Sequence, residues 1–411
     1  MKKPQTADDW LTLEFEISLL FDGAPIDEEA LFAGRSVEIN KILRTVMDRS
    51  KHVALFGERG VGKTSLANVF WKRFYKTLNS FIVARVQAGP HDNFSSLWTR
   101  ALEELHAAAV AAGKPEYAPV EYNFDSISLS QVRRELQKCA ANALPIIIID
   151  EYNEIRDSDA KVLMANLIKE FYDFSVSTTL IIVGVAENIS ELIHDHSSVD
   201  RALVHVSLNR MSDDELKEII EKRLSRTIMR FHPDAVWTII TLSRGLPFFT
   251  QMLSKHGAIH AIEKRRLEVT NADIEASMEM FIKDAEVSFR ESYRNATRSN
   301  QENFFQQSLL ACALARTDDH GFFTANDVVE PYSAIMGERK RHAHFEKHLR
   351  RFSSDEGGNI LIKRGGERQL TFRFTDPMMQ PYVIIRGIQT GMIDQKARAT
   401  LLQRQQGSLP I

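Results

Sequence analysis

One eight-residue pattern constrains this chain more than any other feature: residues 57–64 read G-x-x-x-x-G-K-T. The pattern follows a short apolar run at residues 52–56, and a helical pattern begins at Lys63. Glycines let the backbone bend so that its N–H groups converge on an anion, and a helix N-terminus adds further donors and partial positive charge. In this strand-to-helix context the pattern predicts a phosphate-binding loop.

The residue types in the loop predict what it holds. Lys63 is expected to reach the β- and γ-phosphates of a nucleotide, and the hydroxyl of Thr64 to bind Mg²⁺. Ser65 follows in the first helical turn, near the phosphates. The sequence therefore predicts ATP and Mg²⁺ as ligands. The remaining positions expected to contribute to the cradle are Gly57, Glu58, Arg59, Gly60, Val61 and Gly62.

A second motif lies about ninety residues downstream. Four isoleucines at residues 146–149 precede Asp150 and Glu151. A buried strand of this kind delivers its last side chains to the sheet edge where α/β proteins bind ligands. We expect Asp150 to hold Mg²⁺ through water, and Glu151 to polarise the attacking water as a general base. Together the two motifs predict ATP hydrolysis.

Patterning along the chain predicts its organisation. Residues 31–210 alternate short apolar runs with helical segments, which indicates a parallel sheet with helices on both faces. Residues 211–298 are almost purely helical and predict a helical lid. Residues 299–390 predict three helices followed by a hairpin. Residues 1–30 form a lead-in, and residues 391–411 a polar, mobile tail.

The two motifs resemble the Walker A and Walker B elements of an AAA+ or related STAND-type ATPase. Residues 31–38, Leu-Phe-Ala-Gly-Arg-Ser-Val-Glu, resemble the segment that packs against adenine in origin-recognition-like ATPases. That resemblance assigns Gly34 and Arg35 to the nucleotide site. Residues 243–247, Ser-Arg-Gly-Leu-Pro, resemble the Gly-x-Pro element of the lid, so that Arg244 is a candidate cis sensor and Pro247 a candidate nucleotide contact.

The resemblance also implies a polar sensor and an arginine that acts on a neighbour. Asn188 follows the apolar run at residues 180–185 and is the candidate sensor, with Glu187 and Ser190 as alternatives. Arg201 precedes the next apolar run, where an arginine often offsets charge at a neighbouring copy's γ-phosphate. That role for Arg201 requires a homo-oligomer.

Residues 299–390 resemble a winged helix-turn-helix of bacterial ATPases. A third helix is predicted at residues 340–352, with Phe345, Leu349 and Phe352 on its core face. A basic helix beside a basic wing is the arrangement expected for duplex DNA. The candidate DNA contacts are Lys340, Lys347, Arg350, Arg351, Lys363, Arg364 and Arg368.

The amino-acid composition bears on the cellular compartment and does not show whether the partner is DNA or protein. The net charge of -3 gives no global sign of nucleic-acid binding, so a basic surface must be local. Cys139 and Cys312 belong to no metal-binding or disulfide pattern, which fits a reducing, cytoplasmic setting. The longest uncharged run, about residues 174–186, is too short to span a bilayer, so no membrane association is expected. Three functions are open: a DNA-associated ATPase, a STAND-like signalling or defence switch whose winged helix binds protein, or a nucleotide-binding regulator with negligible turnover. Glu151 argues against the third.

Overall fold

The computed structural model describes residues 3–48, 50–72, 81–120, 126–141, 143–186, 193, 199, 201–284, 287–299, 303–318, 320–366 and 370–393. The chain forms two compact units. The core unit is Pro25–Asn209, and the helical unit combines Met1–Ala24 with Arg210–Ile411. The N-terminal segment thus contributes to the helical unit rather than to the sheet that follows it.

In the described residues, the core unit is built on five parallel strands in the order β2-β3-β4-β1-β5. Buried side chains alternate between both faces, as Val53 and Leu55 do against Ala54 and Phe56. The sheet is therefore covered on both sides, which confirms the predicted fold class and explains the near-continuous apolar strands. The strands are β1 (His52–Gly57), β2 (Phe81–Gln87), β3 (Leu144–Asp150), β4 (Thr179–Val185) and β5 (Leu203–Leu208).

Helices of the core unit pack against this sheet. Helix α1 (Ala7–Leu20) precedes them in the chain and belongs to the helical unit. The core helices are α2 (Ser36–Met47), α3 (Lys63–Val69), α4 (Phe94–Ala111), α5 (Leu129–Ala140) and α6 (Ser158–Asp173). Short 3-10 turns at Glu29–Leu31, Pro115–Tyr117 and Tyr152–Glu154 join them to neighbouring segments.

The first helix of the helical unit after the core unit is capped. Ser212 accepts from the amide of Glu215 and the Glu215 side chain returns to the Ser212 amide, which confirms the predicted start. A short parallel pair, β6 (Arg230–Phe231) and β7 (Glu268–Val269), links its helices. The helices are α7 (Asp213–Leu224), α8 (Pro233–Ser243), α9 (Pro247–Glu263), α10 (Asn271–Asp284) and α11 (Val287–Thr297).

The described part of the C-terminal module runs helix, strand, helix, helix, strand, strand, helix, and its strands form an antiparallel sheet in the order β8-β10-β9. Thr324 caps the second helix, as the sequence predicted. The elements are α12 (Phe305–Leu314), β8 (Phe323–Thr324), α13 (Ala325–Met336), α14 (Glu346–Phe352), β9 (Leu361–Arg364), β10 (Thr371–Phe374) and α15 (Met379–Gln389).

The third helix of this module is shorter than predicted. A separate 3-10 turn covers His342–His344, and α14 begins only at Glu346. The Nδ1 atom of His344 accepts from the amide of Arg341 at 3.2 Å, and this local bond satisfies a backbone donor without continuing a helix. Phe345, Leu349 and Phe352 are buried, so the predicted core face is correct.

In the described part of the chain, no helix has both the length and the apolar character needed to cross a bilayer.

Candidate nucleotide-binding site

The loop after β1 has the backbone geometry of an anion cradle. Gly57 (φ +152°), Gly60 (φ +84°) and Gly62 (φ +93°) all adopt positive φ. A Cβ at Gly57 would lie 2.3 Å from the carbonyl oxygen of Leu208 on β5, so a larger residue cannot stand there. Lys63 then begins α3, which directs the helix N-terminus toward the loop.

Lys63 lies inside the loop that it closes. Its Nζ donates to the carbonyls of Gly57 at 3.0 Å and Glu58 at 2.7 Å. Burial lowers the pKa of Lys63 to about 8, against the opposing effect of the nearby acids Asp150, Glu58 and Glu151. The ammonium group is therefore held within the glycine turn, where a polyphosphate would meet it.

The two predicted magnesium ligands meet. Thr64 Oγ1 donates to Asp150 Oδ2 at 3.0 Å, although the residues are 86 positions apart. The Asp150 Oδ1 atom accepts from the amide of Glu151 at 2.9 Å. Arg85 on β2 also reaches this carboxylate, with Nη2 donating to Asp150 Oδ2 at 2.7 Å. The buried Asp150 side chain is thus fixed by donors from three segments.

Glu151 sits immediately past the strand in a left-handed conformation (φ +54°). This turn carries its carboxylate out of the sheet, where the residue is exposed. Gln87 on β2 donates through Nε2 to Glu151 Oε2 at 2.8 Å. The carboxylate predicted to act as general base is therefore oriented by a neutral amide from the neighbouring strand.

Two further predicted contacts support the loop from its sides. Ser65 Oγ accepts from the amide of Ile26 at 3.0 Å. Arg35, buried at the start of α2, donates through Nη2 to the carbonyl of Val61 at 3.1 Å and to that of Asn209 at 2.6 Å. In this structure Arg35 braces the loop backbone, and Gly34 precedes it at positive φ.

The described residues include the candidate arginine finger and do not include the candidate polar sensors. Asn188 and its alternatives Glu187 and Ser190 lie outside the described residues. Arg201 is exposed at the N-terminal end of β5, whose first residue pairs with the first residue of β1. The phosphate loop follows the opposite end of β1, roughly 17 Å away along the strand. Arg201 therefore lies at the wrong end of the sheet to reach its own loop.

Arg244 and Pro247 belong to the helical unit. Arg244 is the left-handed residue that ends α8 (φ +52°), and its Nη2 donates to the carbonyl of Ala315 at 3.1 Å. Burial lowers the pKa of Arg244 to about 9, and the nearby Arg210 adds to the effect. Pro247 is the first residue of α9, a position that suits its fixed φ and missing N–H.

The described candidate DNA contacts of the C-terminal module are three residues that are paired with acids and three further residues that are exposed. Three are paired with acids: Lys340 with Glu338, Arg350 with Glu346, and Arg351 with Glu356. The side chain of Arg351 is only 15% exposed, whereas that of Arg350 is 77% exposed.

Lys347, Lys363 and Arg364 are also exposed. The Arg364 guanidinium lies 5.8 Å from the ring centre of Phe322. Arg368 lies outside the described residues.

Arg85 and Gln87 are the site residues that sequence reasoning missed. They stand two positions apart on β2, so they share a face, and the register places them beside Ile148 and Asp150. The available signal was the polar alternation at the end of an otherwise apolar strand. That alternation is also typical of an edge strand facing water, so it did not single out the site.

Comparison with known proteins agrees with this geometry. The model of the family described as Novel STAND NTPase 1 (nSTAND1) matches residues 25–269, more than half of the chain. No curated protein matches this chain.

Two solved structures share the fold at low identity. The ORC2 protein of Aeropyrum pernix, solved in ADPNP-ADP complexes, aligns with a TM-score of 0.53 at 14% identity, covering 95% of this chain and 98% of that chain. The Walker-type ATPase PABY2304 of Pyrococcus abyssi aligns with a TM-score of 0.52 at 17% identity, covering 89% of this chain and 99% of that chain.

The matched residues contain the glycine loop, the paired acids and the whole parallel sheet. The chain therefore belongs to the Novel STAND NTPase 1 family and has the fold of a P-loop ATPase of the origin-recognition type.

Proposed function

We propose that this protein is a Mg²⁺-dependent ATPase. The observation that carries the proposal is the contact between Thr64 Oγ1 and Asp150 Oδ2 at 3.0 Å, directly beside Lys63 and the glycine loop. Separate segments thereby bring together a phosphate cradle, a buried ammonium and two hard oxygen ligands. An accidental glycine turn would not require this convergence.

The residues present fit a magnesium ion. Mg²⁺ prefers oxygen donors, keeps several waters, and is usually held by one or two carboxylates together with substrate phosphates. Thr64 and Asp150 supply a hydroxyl and a buried carboxylate at the same point. When bound there, the ion would neutralise charge on the phosphates.

We assign roles to the chain's own residues that their positions support. The amides of residues 57–64 and the Lys63 ammonium bind and orient the triphosphate. Glu151, held by Gln87 and by the turn at its own backbone, accepts a proton from the attacking water. Arg35 keeps the loop backbone in place through Val61.

Two substitutions test this function. We expect Lys63→Ala to lose ATP binding in calorimetry, because the buried ammonium that faces the phosphates is removed. Glu151→Gln should bind ATP with Mg²⁺ at wild-type affinity and lose phosphate release by about a hundredfold or more, since general-base catalysis contributes that much.

Glu154→Gln is the matched control, because Glu154 is exposed three residues further on. It should turn over ATP normally. Equal turnover by Glu151→Gln and wild type would refute the general-base assignment.

We propose in addition that the C-terminal module is a winged helix that contacts duplex DNA through its exposed cations. The supporting residues are Lys347 and Arg350 on α14 and Lys363 and Arg364 at the wing. Neutralising phosphates with such residues releases counterions, so the affinity should fall steeply with salt. The exposed group lies on the helix and wing that a winged helix presents to DNA.

A double reversal, Lys347→Glu with Lys363→Glu, should weaken duplex binding and reduce the slope of log affinity against log salt by about two. The control is Lys217→Glu with Lys283→Glu, which changes the net charge equally at other exposed positions. The readout is fluorescence anisotropy of labelled duplex over a salt series. An unchanged slope would contradict DNA contact.

The ion pairs on α14 favour a second candidate. Because Arg350 and Arg351 already face Glu346 and Glu356, part of the positive charge is offset within the module. A STAND-type signalling or defence switch whose winged helix binds a partner protein fits that neutralised surface. Wild-type protein that hydrolyses ATP and binds no duplex at low salt would support this second function.

A further inference from the structure

We propose that Arg85 is a built-in cation that competes with Mg²⁺ for Asp150 and so sets the metal dependence of nucleotide binding. The proposal rests on the ATPase function above and assigns a role to a residue outside the phosphate loop. Arg85 belongs to β2, the edge strand beside β3, and its guanidinium crosses to the last residue of that neighbour.

The contact is specific in its atoms. Asp150 Oδ2 accepts from Arg85 Nη2 at 2.7 Å and from Thr64 Oγ1 at 3.0 Å, while Oδ1 accepts from the amide of Glu151. The oxygen that faces the predicted magnesium ligand Thr64 is therefore also the oxygen that holds the guanidinium. Asp150 itself is buried, so this pair is only partly screened by water.

Strand register fixes the contact. Arg85 pairs with Ile148 and Gln87 pairs with Asp150, so both β2 side chains lie on the face that carries Asp150. The backbone of Gln87 is also fixed, because Arg100 donates through Nη1 to the Gln87 carbonyl oxygen at 3.1 Å. The strand thus supplies a positive donor to Asp150 and a neutral donor to Glu151, two residues apart.

The positive charge of Arg85 opposes Mg²⁺ binding and favours nucleotide binding without metal. The Arg85 guanidinium carries a positive charge, so it opposes a divalent ion at the same carboxylate. Without metal, the same charge offsets Asp150 and reduces its repulsion of an incoming polyphosphate. The Arg85 side chain is 39% exposed, which gives it room to turn outward when Mg²⁺ binds.

The test measures binding and not turnover. In a Glu151→Gln background, a fluorescent ATP analogue is titrated in EDTA and then over a Mg²⁺ series. We expect Arg85→Gln to lower the Mg²⁺ concentration at half-saturation by about tenfold and to weaken metal-free binding by about tenfold, the size of a half-exposed charge interaction.

Arg85→Lys keeps the charge and should remain within about threefold of the parent in both measurements. Arg85→Met removes the same charge and carries the test if Arg85→Gln fails to fold, with the same two shifts expected. Arg134→Gln is the matched control, since it removes an exposed arginine of α5 in the core unit and leaves Asp150 unchanged. It should not move the Mg²⁺ half-saturation point.

The outcomes separate this inference from the proposed function. An unchanged Mg²⁺ dependence in Arg85→Gln, with nucleotide still bound, would overturn the competition. Equal weakening with and without metal would also overturn it, since Arg85 would then be a phosphate ligand. Absence of binding in the parent itself would refute the nucleotide site, and the inference with it.

Discussion

His52 is a titratable side chain at the start of β1, an inner strand of the sheet, and is fully buried. Its Nδ1 accepts from the amide of Leu180 at 3.1 Å, and its ring lies 5.5 Å from that of Phe171. Burial lowers the pKa of His52 to about 3, and Lys51 adds to the effect. The imidazole is therefore neutral in the folded protein at pH 7.

The consequence is an acid-sensitive core. Because the folded pKa lies below the ordinary value of 6.5, the stability contributed by neutral His52 is complete above pH 6.5 and is lost as the pH falls toward 3. We expect the free energy of unfolding to fall by about 2 kcal/mol between pH 7 and 5 from this residue. Urea unfolding of wild type and His52→Asn at both pH values measures the effect.

An asparagine side chain at this position would offer the Leu180 amide an acceptor that does not titrate. His52→Asn should therefore be less stable at pH 7, because ring packing is lost, and less sensitive to acid. His91→Asn is the control, since His91 is exposed and should leave the pH slope unchanged. A variant at position 52 with the wild-type slope would contradict the assignment.

Which site residues the sequence reveals depends on how local their signal is. Lys63 and Thr64 belong to one contiguous pattern, and Asp150 and Glu151 directly follow an apolar strand, so spacing alone predicts them. Arg85 enters the site only through the pairing of β2 with β3, whose register cannot be obtained from either segment by itself.

At the scale of elements, caps and apolar runs were predictable and competition between local bonds was not. Ser212 and Thr324 mark the starts of their helices through side chains that bond backbone within three residues. The late start of α14 depends on a bond between His344 and the Arg341 backbone, and on Phe345 packing against Tyr332 with ring centres 5.1 Å apart. Neither contact has a periodic signature.

One buried arginine fixes a helix end in the helical unit. Arg223 on α7 donates through Nε to the carbonyl of Leu20, the last residue of α1, at 2.8 Å. Its Nη2 donates to Gln251 Oε1 at 2.8 Å, and its guanidinium lies 5.7 Å from the ring centre of Phe21. Burial lowers the pKa of Arg223 to about 10, and Asp22 opposes the shift, so the group remains charged at pH 7.

Arg223→Met should therefore destabilise the helical unit by about 2–4 kcal/mol, because it leaves buried acceptors without donors while keeping much of the volume. Hydrogen exchange should show lost protection in α1 as well as in α7. Lys217→Met, at an exposed position of the same helix, should change stability by less than about 0.5 kcal/mol. If α1 remains protected from hydrogen exchange in Arg223→Met, Arg223 does not fix the end of α1.

At the scale of the whole molecule, chain order and spatial grouping differ. The sequence predicts residues 1–30 as a lead-in, yet α1 packs in the helical unit through Leu13 and Ile17, about two hundred residues from its partners. Such long-range packing has no local signal. The separate lid and winged helix remain predictions, because the structure groups residues 210–411 in one unit.

The arginine-finger role predicted for Arg201 requires an assembly of at least two copies of the chain. It is exposed at the end of the sheet opposite to the phosphate loop of its own chain, so an effect on hydrolysis must be exerted on a neighbouring copy. We expect Arg201→Ala to lose ATP turnover by about a thousandfold, the size of an arginine finger, while binding ATP normally. Arg134→Ala, which removes another exposed arginine of the core unit, should keep full turnover.

Mixing inactive variants then tests action in trans. A Glu151→Gln copy still offers Arg201, and an Arg201→Ala copy still offers Glu151, so an interface between them contains one complete site. Phosphate release should recover when the two are mixed. Lys63→Ala mixed with Glu151→Gln provides the negative control, because neither chain in that pair can both bind and hydrolyse ATP. No recovery in the first mixture, or wild-type turnover by Arg201→Ala alone, would remove Arg201 from the mechanism and leave hydrolysis to the residues of a single chain.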